Sequence, residues 1–592
     1  MNAATPIAVR PARRRVVLAL LALAATVLVW RAVDLHIVHK EFLRDQGAAR
    51  YLRVVTLPAH RGMITDRNGE PLAVSTPVES VWANPRELAT ARADWPRLAA
   101  LLDLDTPRLA DYLATRLERE FVYLKRRIDP DLAARVMALN VPGVALTREY
   151  RRYYPEGEVT AHVLGITGVD DNGQEGIELA YDDWLDGVPG AKRVIKDRLG
   201  RIVQDVESLA LPRPGRELRL SIDRRIQYLA YRELKSAVLE HQAQAGSVVV
   251  LDATTGEVLA MVNIPAYNPN RTSEAHNSRY RNRAVTDLFE PGSTVKPFTV
   301  AAALESGQYR SDTMIDTAPG LLRIGSREIN DIHDYGRIDV ATVIQKSSNI
   351  GAAKMALAIP REKLWQTFSH AGFGAVTGSG FPGEAGGVLT YYPHWHEVDR
   401  ASLAFGYGLS VTTLQLAEAY ATIANGGQLH PASFLPLKAP VNSSTVMQAD
   451  TAATLRAMLE SVTNEGGTGL LARVAGYRVA GKTGTVRKLG PAGYAKDRYL
   501  SLFAGFAPAS HPRLVMVVMI NEPGGTQYYG GQVAAPVFAH VMAGALRLLN
   551  VAPDDIAVPS QPQTLQLTQN THGAGLQKVS ATSLSPDTGD AE

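Results

Sequence analysis

The sequence predicts a membrane-anchored, multidomain α/β protein, and three observations carry that prediction. An apolar run behind a cluster of arginines opens the chain. A composition break at Pro212, Pro214 and Gly215 separates two textures. After the break, two strand patterns, a long helical stretch, three more strand patterns and a closing helix suit an antiparallel sheet covered by helices. At 592 residues, with 46% hydrophobic and 20% charged residues, the chain has room for three or four ordinary globular units. A net charge of +3 gives no reason to invoke nucleic acid. The chain has no cysteine, which excludes a cysteine nucleophile, a disulfide framework and thiolate metal sites.

The first element is the anchor. Arg10, Arg13, Arg14 and Arg15 precede Val16 to Trp30, an uncharged run, and Ala32, Val33, Leu35, Ile37 and Val38 continue it past Arg31 and Asp34. A span needs about 20 residues, so Arg31 must snorkel or sit at the outer interface. We expect residues 1–15 in the cytoplasm, an uncleaved signal-anchor over 16–38, and all later residues outside. Cleavage near Ala22-Leu23-Ala24 is the alternative; it leaves an apolar stub on the mature chain.

Residues 39–60 read as a helical stalk. Arg61 to Ala73 reads as strand, turn and strand, with Asn68-Gly69 at the turn. Residues 86–140 read as helices. A second β-rich stretch carries Arg151 to Pro155 and Gly173 to Glu178. Together 39–215 form an N-terminal α+β pedestal. In 216–550, Asp223–Glu240 is an amphipathic helix pattern, and Ser247–Leu251 and Glu257–Val262 form a hairpin. Strands are expected near Arg478–Thr485, Leu500–Phe506 and Leu514–Ile520, and a helix near Ala534–Leu549. The tail 551–592 is poor in apolar residues and is expected to be disordered.

Three short motifs carry the chemistry. In Ser293-Thr294-Val295-Lys296 a hydroxyl and an amine share one helix face just after the turn residues Pro291-Gly292. Ser347-Ser348-Asn349 and Lys482-Thr483-Gly484-Thr485 follow in order, and the ordered triple marks penicillin-recognising serine acyltransferases. A free serine hydroxyl needs a base. Lys296 can serve only if its proton affinity falls by roughly 4 kcal/mol, through burial and a second ammonium. Lys482 can supply that charge, so both lysines should converge on Ser293. Histidine is the alternative base, but His162, His333 and His394 stand in no triad context. His333, the best placed, is assigned a structural or rim role. Ser347 adds a hydroxyl for proton relay and Asn349 a carboxamide, although such a tripeptide also caps helices. Ser348 should point elsewhere. The Lys482 motif should end a strand that begins near Tyr477, with Gly484 admitting a neighbouring backbone and a peptide docking by strand addition. Lys482, Thr483 and Thr485 should face a terminal carboxylate. The backbone N–H groups of Ser293 and Thr485 are the natural oxyanion pair.

With Arg61-Gly62…Asp66-Arg67-Asn68-Gly69, Arg152-Tyr153-Tyr154-Pro155, Gly176-Ile177-Glu178, Phe503 to Pro508 and Tyr528-Tyr529-Gly530-Gly531 added, the chain resembles the class B penicillin-binding proteins of the division-specific type. The resemblance runs from the anchor to about Asn550. It implies a transpeptidase domain with a serine β-lactamase-like fold, a five-stranded antiparallel sheet flanked by helices and an all-helical subdomain, on a dimerisation-like pedestal. It implies a peptidoglycan D,D-transpeptidase that cross-links septal stem peptides, releases D-alanine and is acylated by β-lactams. Catalysis would fall to Ser293, Lys296, Ser347 and Lys482, and substrate binding to Asn349, Thr483, Gly484 and Thr485. Neither cofactor nor metal is implied. The implied partners are stem peptides and, through anchor and pedestal, a SEDS-type glycosyltransferase (FtsW-like) with other divisome membrane proteins. The implied location is the inner membrane at the septum, with the catalytic domain periplasmic. An elongation-type enzyme, a D,D-carboxypeptidase, and a β-lactam sensor or divisome scaffold remain open.

Overall fold

The computed structural model describes residues 11–42, 52–196, 202–271, 279–490 and 493–555. The chain opens with the helix Pro11–Val33, continued by a π-helical turn Asp34–Val38. These 28 residues are long and apolar enough to cross a membrane, and none of the helix Pro11–Val33 is buried. Arg31 pairs with Asp34 at 2.5 Å, one helical turn on. The guanidinium at the end of the apolar run thus carries its own counter-charge.

The expected helical stalk is partly a strand: Leu52–Leu57 pairs with Gly190–Lys196, which pairs in turn with Ile202–Ala210. Residues 43–51 of the stalk, and the tail from 556 on, lie outside the described residues. The turn at Asn68-Gly69 forms as expected, with Gly69 at φ +89° joining Ile64–Thr65 to Pro71–Ala83. Asp66 Oδ1 accepts the N–H groups of Asn68 and Glu70 and closes it. Residues 86–140 are not all helical. Between Thr106–Ala114 and Pro130–Ala138, Val122–Ile128 is a strand. It pairs with the long strand Pro71–Ala83, whose other side takes Val144–Tyr153. Strand pairing outweighs the helical leaning of its Leu, Lys and Arg. Gly176–Ala180, expected in a β-rich stretch, is a short helix. Leu218–Arg219 pairs with Ile64–Thr65, so the pedestal's sheet extends past the Pro212–Gly215 break.

Three remote sequence markers meet inside the pedestal. Glu178, fully buried, receives Arg61 Nε on one carboxylate oxygen and Arg152 Nε on the other, each at 2.6 Å. Arg61 also pairs with Asp182 at 2.7 Å and donates to the Glu178 carbonyl, while Arg152 donates to the Gly62 carbonyl. A buried carboxylate is tolerable only when paired and hydrogen-bonded in this way.

The second unit is built on a five-stranded antiparallel sheet in the order Val258–Ile264, Ala245–Asp252, Leu514–Asn521, Gly493–Ala507, Ala480–Gly490. The runs 248–251 and 514–520 at the centre of the sheet are apolar at every position because both faces are covered. On one face Val248, Val250, Met516, Val518 and Phe503 pack under the helices Arg224–Glu240 and Gly530–Leu548. On the other, Val249, Leu251, Val517 and Leu502 meet Thr413–Ala424, Lys296–Glu305 and the rest of the insertion. The insertion is not the all-helical unit expected: Met314–Asp316 pairs with Arg337–Asp339, Leu321–Ile324 with Arg327–Asn330, and Gln428–Leu429 with Ser444–Thr445. That second core continues into Ile64, Leu72, Tyr154 and Ile177 of the pedestal. Ala480–Gly490 is an edge strand, and its open side forms one wall of the cleft described below.

Glu178→Ala strands two buried guanidinium groups and should lower stability by about 3–5 kcal/mol. Thermal or urea unfolding of the detergent-solubilised chain measures this; a loss below about 1 kcal/mol would show the network to be dispensable.

Candidate active site

The nucleophile candidate stands where the expected helix begins, on a 3-10 turn Gly292–Val295 that runs into Lys296–Glu305. Gly292 has φ +54° and its N–H donates to the Gly406 carbonyl at 3.1 Å. A Cβ at Gly406 would lie 2.1 Å from the Gly292 oxygen, so these two backbones touch only as glycines. From below, the buried Tyr420 hydroxyl donates to the Thr294 carbonyl at 2.7 Å. Ser293 is half-buried and lines a cleft of about 1050 Å³ together with Ser347, Asn349, Thr483 and Thr485. The first hydrogen bond of the turn is Thr294 N–H to the Pro291 carbonyl. The preceding Ser293 N–H is one of the donors that a helix start leaves without an intrahelical partner.

Lys296 and Lys482 do converge, but on Ser347 rather than Ser293. Lys296 Nζ lies 3.1 Å and Lys482 Nζ 2.9 Å from Ser347 Oγ. Lys296 also donates to the Ser347 carbonyl at 2.5 Å and to Asn349 Oδ1 at 2.8 Å. Among the described residues Ser293 Oγ makes no hydrogen bond. The cause is the backbone at Ser347, which ends the helix Val340–Lys346 with φ +62° and ψ 39°. This left-handed conformation, worth about 1–2 kcal/mol of strain in a non-glycine residue, turns both carbonyl and hydroxyl toward the lysines.

Both amines are fully buried. Burial, and then the charge on Lys482, hold Lys296 well below the ordinary lysine range, with Asp331 pulling it back up. Burial pushes Lys482 down to about 7. An ammonium has three donors and no acceptor, whereas a neutral amine has two donors and a lone pair. A neutral Lys296 satisfies two obligate acceptors, the Ser347 carbonyl and Asn349 Oδ1, and keeps its lone pair for a hydroxyl. Ser347 Oγ can then accept from Lys482 while donating to Lys296, a continuous proton path.

Lys482-Thr483-Gly484-Thr485 does not end a strand. It lies early in Ala480–Gly490, which runs on for five residues. Its side chains alternate, so Lys482 does not stand beside Thr483 and Thr485. Lys482 and Gly484 face the helical insertion; Thr483 and Thr485 face Gly530–Leu548 and the cleft. Thr485 Oγ1 accepts the Gly530 N–H at 3.0 Å, which leaves its own proton free. Thr483 Oγ1 shares a 2.7 Å bond with Thr468 Oγ1. A Cβ at Gly484 would meet Thr294 Cγ2 at 3.0 Å and the Pro291 carbonyl at 3.2 Å, so the glycine lets the nucleophile turn sit against the sheet edge.

Ser348 points away from the cleft, as expected: it caps the helix Asn349–Ala358 by accepting the Gly351 N–H at 2.9 Å. His333 is exposed and packs edge-on against Tyr335. His162 is buried against the Arg279 carbonyl and held down to about 4 by burial, and His394 is exposed; none of the three lines the cleft. Sequence reasoning missed Thr468, Tyr420 and Asp331. Thr468 carries a faint signal in its glycine-rich turn, but the other two lie far along the chain from the groups they hold. Among the described residues no cluster of His, Asp and Glu could hold a metal ion.

Known proteins resemble this chain over most of its length. Residues 246–543 match the family model of the penicillin binding protein transpeptidase domain, and residues 56–220 that of the penicillin-binding protein dimerisation domain. The chain is 44% identical over 537 residues to the peptidoglycan D,D-transpeptidase FtsI of Escherichia coli K12, covering 90% of this chain and 91% of that one. It is 43% identical to the probable peptidoglycan D,D-transpeptidase PbpC of Pseudomonas aeruginosa, over 91% of this chain and 96% of that one. The transpeptidase domain of Burkholderia pseudomallei penicillin-binding protein 3, solved in its apo state, superposes with a TM-score of 0.53 at 41% identity. It covers 57% of this chain and 97% of that chain.

The depressed affinity of Lys482 has a sign that can be checked. Between about 7 and the ordinary 10.5 the unfolded chain holds a proton that the folded chain lacks. The penalty for burying the charge is therefore complete below pH 7 and relieved as pH rises. Relative to Lys482→Met, the unchanged chain should be least stable at pH 6 and gain steadily toward pH 10. Parallel unfolding curves at every pH would contradict the assignment.

Proposed function

The chain belongs to the class B penicillin-binding proteins and is a septal peptidoglycan D,D-transpeptidase, a serine D-Ala-D-Ala acyltransferase of the FtsI type; we propose that it works through Ser293 and a relay of Lys296, Ser347 and Lys482. The observation that carries this reading is the pair of buried amines on one serine hydroxyl beside a cleft-facing Ser293. When a donor stem peptide fills the cleft, the Ser347 hydroxyl turns its proton from Lys296 to the leaving amine, Ser293 Oγ attacks the carbonyl of the penultimate D-alanine, and its proton passes to the lone pair of Lys296 so vacated. Catalytic hydrogen bonds of this kind tighten only once substrate is bound, which suits the open Ser293 hydroxyl. The N–H groups of Ser293 and Thr485 hold the oxyanion, a contribution of about 3 kcal/mol per donor. The C–N bond breaks and the amine of the terminal D-alanine takes a proton from Ser347 Oγ, which Lys482 resupplies. The hydroxyls of Thr483 and Thr485 hold the terminal carboxylate, with the Lys482 charge behind them, and Asn349 orients the peptide. The amine of a second stem peptide then attacks the acyl-enzyme, loses its proton along the same path and forms the cross-link.

A β-lactam enters as a mimic of D-Ala-D-Ala and leaves Ser293 acylated. We assign residues 16–38 to a single-pass anchor with a cytoplasmic N-terminus, 39–215 to the pedestal and 216–550 to a periplasmic catalytic domain. Glycan polymerisation is assigned to a SEDS-type membrane partner.

Ser293→Ala should abolish covalent labelling by a fluorescent penicillin and cross-linking of donor stems to amine acceptors, and should fail to support septation. Labelling that persists in the variant would move the nucleophile elsewhere. Free D-alanine without cross-linked product would make the enzyme a carboxypeptidase.

A further inference from the structure

The rim of the cleft opposite the sheet edge is a small hairpin, Leu321–Ile324 with Arg327–Asn330. Ile324, Arg327, Ile329 and Asn330 line the cleft. The residue that follows the hairpin, Asp331, is engaged on both carboxylate oxygens. Oδ1 accepts the N–H groups of Asn349, at 2.5 Å, and Ile350, at 3.1 Å. Oδ2 accepts the Ser348 hydroxyl, which itself accepts the Gly351 N–H. One carboxylate thereby satisfies the first turn of Asn349–Ala358, where a negative charge is favoured. The neighbouring Asn330 carbonyl accepts Asn349 Nδ2 at 2.9 Å, and this sets the amide so that Oδ1 faces Lys296.

We propose that Asp331 is a positioning residue for the acyl-transfer relay: it caps the helix that begins at Asn349, fixes Ser347 and Asn349 over Lys296, and ties them to the rim hairpin. The proposal rests on the functional reading above. Its logic is a conflict of requirements. Lys296 must be neutral at rest, yet it must still bind the proton of Ser293 in the transition state, and a base made too weak is a poor catalyst. Burial and Lys482 push its proton affinity down; Asp331 opposes them. The charged groups whose fields reach Lys296 are Lys482, from the edge strand, and Asp331. Across the same rim, burial and then the charge on Asp331 raise the phenol of Tyr335.

The test is the pH profile of Ser293 acylation by a fluorescent penicillin, measured on the detergent-solubilised full chain. Asp331→Asn should lower the plateau rate about tenfold or more and move the acidic limb to lower pH by about one unit. Asp331→Glu keeps the charge but misplaces the cap; its limb should coincide with that of the unchanged chain, on a lower plateau. Ser348→Ala loses one hydroxyl and no charge, and should also leave the limb in place. A merely structural role would lower the rate equally at every pH, so an Asp331→Asn limb that does not move would overturn the proposal. If Asp331→Asn does not fold, Asp331→Ser, which keeps an acceptor for the cap without the charge, takes its place: a limb moved to lower pH would support the proposal and an unmoved limb would overturn it. An unchanged chain that is not acylated at Ser293 would remove the functional reading as well. Normal acylation with an unmoved Asp331→Asn limb would remove only the role of Asp331.

Discussion

The site depends on one serine hydroxyl held between two buried amines. Ser347 Oγ lies within hydrogen-bonding distance of both Lys296 and Lys482, in a region where neither amine reaches water. Two ammonium groups cannot share so small and dry a volume at acceptable energy, so the arrangement itself favours loss of a proton. That loss turns a lysine from a donor into a base. The hydroxyl is the one group there that can accept from one amine while donating to the other, and so it makes the pair a relay.

The scaffold delivers these groups from three directions. Lys296 rises from the first turn of a helix buried in the insertion. Lys482 comes from an edge strand of the five-stranded sheet. Ser347 comes from a left-handed turn between two helices, closed on its far side by the cap that Ser348 and Asp331 form. Glycine makes the convergence sterically possible at Gly406 and Gly484, where a side chain would push the nucleophile turn off the sheet. Among the described residues, the pedestal contributes no side chain to the cleft. Its Arg61, Glu178 and Arg152 network lies in a unit whose apolar core runs without a break into the catalytic one.

Much of this was legible in the sequence because the motifs are local. Ser293 and Lys296 are one helical turn apart, and alternation within Ala480–Gly490 is a property of any strand. The runs at 247–251 and near 514–520 read as strands, and the observed strands are Ala245–Asp252 and Leu514–Asn521. What escaped is non-local. The lysines meet on Ser347, not Ser293, because a positive φ aims that side chain, and no pattern of residue types signals it. Asp331 acts across 18 positions and Tyr420 across 126, through folding alone. Val122–Ile128 looked helical because its Leu, Lys and Arg suit either state until a neighbouring strand claims them. The grouping of Lys482 with Thr483 and Thr485 failed by ignoring the alternation that the strand itself imposes.

The central claim is that one lysine of the pair is neutral near physiological pH. Titration of the chain carrying ¹³Cε-labelled lysine, followed by NMR and assigned through Lys296→Met and Lys482→Met, reads this directly. The account predicts that the Lys482 resonance titrates near 7 and that the Lys296 resonance is displaced far below the lysine range. Two resonances titrating together near 10.5, as free lysines do, would contradict it.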